Sequence, residues 1–277
     1  MIRATILDAD TPAGGELIRL LIHHPDVEIE NAVSADCAGE RIPARHAGLI
    51  GDTDLRFIEE PDLSKTDVIF LCGTSPLPDG IADDVRVIDL TGRFMGTDSY
   101  VLGIGELNRK AMVRGATRAT IPSAATQGAV VALLPLAKHA LLKGEITVSD
   151  GDIDIIAEAL KTLQPDLDAT IVRGCETETT VTVTISSMLE TAGLRDMYEE
   201  AFDDHNFTYL IDRMPVAADV CNTNKCLLHL TASDGAVTVN ALMDANIKGC
   251  AGTAVHCMNL LFGLHEVIGL QLKALGR

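Results

Sequence analysis

The stretch ATILDADTPAGGELIRLLIHHPDVEIENAV, residues 4–33, decides the fold. Residues 4–7 form a short apolar strand that runs into a turn of small and acidic residues. Residues 14–24 then place Leu17, Leu20 and Leu21 on one helical face, and Pro25 ends the helix. Residues 27–33 alternate as a second strand. Strand, helix and strand in succession begin an alternation that fills the first 120 residues. Residues 67–72 and 85–90 are apolar runs of the kind found in buried parallel strands, and 117–121 is a weaker strand. The expected fold class is therefore α/β, with a Rossmann-like, doubly wound parallel sheet.

The pattern changes after Pro122. Residues 127–142 read as a long apolar helix, and 193–203 as an amphipathic one. Strands are expected at 146–149, 169–173 and 179–186, and at 225–233 and 236–244 on either side of the hairpin dipeptide Asp234-Gly235. This describes a second α+β lobe with a mostly antiparallel sheet, followed by a helical tail over 249–275.

Composition narrows the function classes. Hydrophobic residues make up 47% of the 277, but aromatics only 3%, so the core is aliphatic. A net charge of −18 repels phosphate backbones and argues against nucleic acid as a partner. The start carries one positive charge and then turns acidic, unlike a signal peptide, and the longest apolar stretch, 129–136, is too short to span a bilayer. The expectation is a cytoplasmic protein with no membrane partner. Seven cysteines without a CxxC pair are expected to be buried or free thiols. Cys221, Cys226 and His229 admit a metal site or buried thiols, and the expected metal is none. His23 and His24 stand at a helix end, where a structural role is expected, and His256 and Cys257 are expected in a core or an interface.

Five blocks, in order, carry a family resemblance: GGELIRLLIHHPDVEI (14–29), VIDLTGRF (87–94), GIGELNR (103–109), IPSAATQGAVVALLPL (121–136) and KGCAGTAVHCMNLLFGL (248–264). From residue 3 to about 270 the chain resembles N-acetyl-γ-glutamyl-phosphate reductase, a relative of aspartate-semialdehyde dehydrogenase. The resemblance implies a nucleotide-type lobe over 1–121, a second lobe over 122–248, and a tail helix, 249–277, that returns to the first. It also implies NADP as cofactor, oligomerisation, and reduction of an acyl phosphate to a semialdehyde in arginine biosynthesis. In that chemistry a cysteine thiolate takes the acyl group as a thioester, phosphate leaves, and hydride reduces the thioester.

The residues depart from the family at each requirement. The phosphate turn G-A-S-G-Y-T-G reads Asp8-Ala9-Asp10-Thr11-Pro12-Ala13-Gly14, which keeps only Gly14 and is expected to face the phosphate with two carboxylates. The arginine of S-R-S, which suits a 2′-phosphate, is absent from Ser34-Ala35-Asp36. The nucleophilic cysteine of N-P-G-C-Y-P-T aligns with Ala124, and Ser123 beside it is expected to point elsewhere. No histidine lies between His139 and His205, where the family carries its acid–base histidine. Cys175, after Val172-Arg173-Gly174, is the one thiol near that region.

Retained positions are Glu106, Arg173, Asn224, Cys226, Lys248 and Gly249, of which Glu106, Arg173, Asn224 and Lys248 make a tentative ligand or anion site; Thr11, Gly14 and Ser34 mark a degraded cofactor site. Arg173 and Lys248 admit either anion binding or inherited packing. The resulting expectation is a catalytically inert paralogue that binds a small anionic metabolite, or assembles as a homo-oligomer or with an active relative. The alternative is a working NAD(P)-dependent acyl-phosphate reductase whose cysteine was exchanged for Ala124 or replaced by another residue.

Overall fold

The computed structural model describes residues 1–174, 181–186, 191–233 and 235–274. They fall into two units, one of residues 1–122 with 250–271, the other of 123–249 with the C-terminal end from 272.

The first unit is built on six parallel strands: β1 (Ile2–Leu7), β2 (Val27–Val33), β3 (Val68–Leu71), β4 (Arg86–Asp89), β5 (Val101–Leu102) and β6 (Arg118–Thr120). Their order is β2-β1-β3-β4-β6-β5. Every residue of β3, VIFL, is buried, as expected of a strand covered on both faces. Helix α1 (Pro12–Leu21) begins two residues before the Gly14 expected from sequence. Thr11 caps it by accepting the Gly14 N–H, and Pro12 supplies a helix-ready φ where its missing N–H has no intrahelical acceptor. Two more helices follow, α2 (Ile42–Arg45) and α3 (Gly105–Val113). Residues 72–85 cross from β3 to β4 without a helix. Leu77, Ile81 and Val85 of that crossover pack on Ile69, Leu71, Val87 and Tyr100.

In the second unit the strands β7 (Lys143–Val148), β8 (Asp168–Arg173), β9 (Val181–Ser186), β10 (Thr208–Leu210), β11 (Cys226–Ser233) and β12 (Ala236–Met243) form a mixed sheet, ordered β10-β11-β12-β9-β7-β8. The three central junctions are antiparallel and the two outer ones parallel. The strand expected from 179 is described from Val181, and residues 179 and 180 lie outside the described residues. The helices are α4 (Ala124–Lys138), α5 (Ile153–Lys161), α6 (Thr191–Phe202) and α7 (Ala217–Val220). All of α4 from Thr126 to Ala137 is buried, because it is apolar on every side and packs on β9, β12, α5 and α6. Tyr198 of α6 is fully buried and donates its hydroxyl to the Ala132 carbonyl of α4. Val183, Val237 and Val239 are buried on one face of the sheet. Side chains alternate along a strand, so the other face carries Thr147, Thr184, Thr238 and Thr231 at directly paired positions.

The last helix, α8 (Gly252–Leu261), packs on α1, α3 and β4 of the first unit. The helical tail expected to reach 275 stops here, because Gly263 adopts a left-handed φ of 68°. The residues beyond are held by side chains. The Asn259 amide donates to the Glu266 and Ile268 carbonyls and accepts from His24 Nε2 at 3.0 Å. His24 Nδ1 in turn accepts the Asp26 N–H, so His24 is a neutral structural imidazole and not a cation at a helix end. No described helix is long and apolar enough to cross a membrane.

Candidate active site

The β1–α1 turn is the place where an α/β sheet takes a nucleotide, at the carboxyl ends of the strands beside the switch in strand order. Asp8 sits there with φ 56°. Its carboxylate, expected to face the phosphate, is held by the neighbouring loop. Oδ2 accepts the Ser75 N–H at 2.9 Å and Oδ1 accepts the Ser75 hydroxyl at 2.5 Å. Three of the turn's own amides are engaged too: Ala9 N–H donates to Val33 O, Thr11 N–H to Asp8 O and Gly14 N–H to Thr11 Oγ1, and Pro12 has none. Its carbonyls are also covered, Ala9 O by His46 Nε2 at 2.8 Å and Asp10 O by Arg45 Nε at 3.2 Å. Gly14 keeps a packing role, since a Cβ there would fall 2.6 Å from Ala9 O. A dinucleotide pyrophosphate needs free amides and close backbone approach, and the residues present do not fit one.

Ser34, a tentative cofactor position, is buried and accepts the Cys37 N–H at 3.3 Å, so it closes a turn. Glu106 is buried in the first turn of α3. Two buried thiols of this unit are poor nucleophiles: burial raises Cys72 well above the ordinary thiol value and pushes Cys250 up to about 11. Cys175 lies outside the described residues.

Ala124, the residue expected at the family's nucleophile position, belongs to the second unit. Ser123 is the N-cap of α4, its Oγ accepting the Thr126 N–H at 3.2 Å, and Ala124 is the first helical residue. Ser123 is thereby committed to the cap. The Ala124 methyl faces Gly249, where a Cβ would lie only 2.6 Å away. Gly249 is held by its own N–H to Asp244 O at 2.8 Å and by Gln127 Nε2 to its carbonyl at 3.0 Å. On another side of the helix start, Thr126 Oγ1 accepts the Asp152 N–H at 2.9 Å. Arg173 closes that 150–152 turn, donating to Gly151 O at 2.6 Å and pairing with Asp150 at 3.4 Å.

Ala124, Arg173 and Gly249, with neighbouring Lys248, thus surround the start of α4, whereas Glu106 belongs to the other unit. Lys248 is almost wholly buried, its Nζ 5.9 Å from the Phe207 ring centroid. Asn224 is buried as well, and neither its amide oxygen nor its nitrogen has a hydrogen-bond partner among the described residues. Sequence reasoning missed the 150–152 turn, although Asp150-Gly151-Asp152 is a turn signal followed by a capping Asp152. It also missed Ser75, whose link to Asp8 has no local signal. Cys221 is exposed, Cys226 buried and His229 Nδ1 bonded to Ile211 O; the described residues contain no metal-binding group of three or more His, Cys, Asp or Glu.

Comparisons with known proteins agree with this architecture. The family model "Semialdehyde dehydrogenase, NAD binding domain" matches residues 3–115. The N-acetyl-gamma-glutamyl-phosphate reductases of Parabacteroides distasonis and Phocaeicola vulgatus are each 33% identical to this chain, the alignments covering 99% of both partners. Each alignment spans 319 positions against 277 residues here, so parts of those relatives have no counterpart in this chain. Among solved structures, aspartate semialdehyde dehydrogenase II of Vibrio cholerae superimposes with a TM-score of 0.68 at 16% identity, covering 95% of this chain and 99% of that one. The Candida albicans aspartate semialdehyde dehydrogenase with NADP gives 0.69 at 15% identity, covering 95% and 98%.

Proposed function

We propose that this chain, which belongs to the N-acetyl-gamma-glutamyl-phosphate reductase family, does not reduce an acyl phosphate and persists as a binding or assembly subunit. The observation that carries the reading is the start of α4: the first helical residue is Ala124, and the adjacent Ser123 hydroxyl caps the helix. A methyl group cannot accept an acyl group, and a hydroxyl held by a cap lacks the base that would activate it. The absence of histidine between His139 and His205 supports the same reading.

Asn224 and Arg173 support a retained ligand site for a small anion. A buried amide without partners is costly unless something fills its donor and acceptor positions. Arg173 keeps half of its side chain exposed while it holds Asp150. Assembly, as a homo-oligomer or with an active relative, is supported by the second sheet's threonine row. In a chain of net charge −18, the directly paired Thr147, Thr184, Thr238 and Thr231 are all uncharged, and charge depletion marks the centre of an interface.

The test is acyl transfer. The protein is incubated with N-acetyl-γ-glutamyl phosphate and its intact mass is measured. The reading predicts unmodified protein, and a stoichiometric acyl adduct on any residue overturns it.

A further inference from the structure

The misfit at the β1–α1 turn is more than a loss of glycines. We propose that Asp8 is an internal ligand of the anion site at the switch point of the first sheet, and that its bridge to Ser75 closes the crevice to a nucleotide pyrophosphate. The inference rests on the first unit alone and deepens the reading of an inert family member by naming what stands in the cofactor's place.

Strands β1 and β3 are parallel neighbours, with Leu7 opposite Leu71. In sequence β2 follows β1 on one side while β3 lies on the other, so the crevice opens between the carboxyl ends of β1 and β3. Asp8 is the first residue past one end and Cys72 the first past the other. The left-handed conformation of Asp8 is one that aspartate tolerates better than most side chains. From it the carboxylate reaches across to the second loop, where Ser75 offers a backbone N–H and a hydroxyl. These are the donor types that bind phosphate oxygens.

Two further features fit the bridge. Gly73 lies against the carboxylate: a Cβ there would be 2.6 Å from both Asp8 Cβ and Oδ2, so a side chain would displace it. Thr11 makes a second tie, with Oγ1 2.8 Å from Asp8 O and 3.1 Å from Cys72 O. A pyrophosphate entering here would have to break these bonds and lie beside a displaced carboxylate, which it repels.

The experiment is calorimetric titration of the full chain with inorganic pyrophosphate and with NADPH, repeated on Asp8→Gly, Asp8→Asn and Asp8→Gly/Thr11→Gly. Circular dichroism confirms that each variant is folded. The wild type is expected to bind neither probe. Asp8→Gly, or the double variant, is expected to bind both at least roughly ten- to hundredfold more tightly than the wild type, the range for losing a competing charged hydrogen bond. Asp8→Asn keeps the shape without the charge and is expected to fall between them, which keeps the test decisive if glycine unfolds the turn. Binding of NADPH by the wild type as tight as by the variants overturns the proposal, and so does the absence of binding in every folded variant. Wild-type dinucleotide binding as tight as the variants', without acylation, would sink this inference and leave the acyl-transfer reading standing.

Discussion

Replacing Gly249 with alanine probes the packing that defines the start of α4. The new Cβ would fall 2.6 Å from Ala124 Cβ, 3.3 Å from Ala124 Cα and 3.4 Å from Asp244 O. Carbon atoms rest about 3.5–4.0 Å apart, so one of the two methyls must move by about 1 Å. Neither can rotate away. Ala124 has no rotamer and is fixed at the first position of a buried helix, and Gly249 is tied to Asp244 and Gln127. Overpacking of this kind costs about 1–3 kcal/mol. Ala124→Gly removes the opposing methyl at a helix-propensity cost of up to about 1 kcal/mol. The double variant should therefore be more stable than the sum of the two single losses by about 1–2 kcal/mol. Urea unfolding followed by circular dichroism measures these differences, and hydrogen exchange of the α4 amides assigns the transition to the second unit. A Gly249→Ala variant within about 0.5 kcal/mol of wild type, or strictly additive losses, would refute the contact and with it the geometry given for the nucleophile position.

Ala124→Cys should give a thiol that alkylates faster than the exposed Cys221, because a helix N-terminus lowers a thiol pKa, yet it should not turn over an acyl phosphate with NADPH; turnover would favour an exchanged cysteine. Ser123→Ala should lose about 1 kcal/mol through the missing cap, read by the same urea unfolding, and leave the threonine row untouched. His24 links stability to pH. Burial lowers its pKa, so the fold favours neutral imidazole while the unfolded chain takes up its proton near about pH 6.5. That contribution is present above about pH 6.5 and is lost as pH falls from there through the folded value, so thermal melts of His24→Gln should depend less on acidification than those of wild type. Sedimentation at micromolar concentration should show an oligomer, and a 29.5 kDa monomer alone would remove the assembly role.

Much of this was legible because the signals are local. The apolar runs at β3 and β4, the alternation of β2 and the strands that pair as β11 and β12 were legible from burial and period two. The Thr11-Pro12 cap was legible too, but the family's glycine pattern drew attention to Gly14 instead. What sequence could not give are contacts between distant residues. Asp8 looked like a repelling charge until Ser75, 67 positions away, supplied its donors. The tail looked helpful for a helix to 275, but Gly263 and the His24–Asn259 bond fix it otherwise. Of the site, the match of Ala124 to the family's cysteine position is an expectation from the resemblance, whereas the fit of Gly249 against it and the unpartnered Asn224 amide required coordinates.

The most direct test of the central claim is steady-state turnover by the purified wild-type chain. N-acetyl-γ-glutamyl phosphate is supplied with NADPH, and separately with NADH, and nicotinamide oxidation is followed by absorbance against a family reductase that is active under the same conditions. The account predicts a rate indistinguishable from the uncatalysed one with either cofactor, since position 124 is alanine and the β1–α1 turn is closed by Asp8. Sustained, enzyme-proportional oxidation with either cofactor would contradict it.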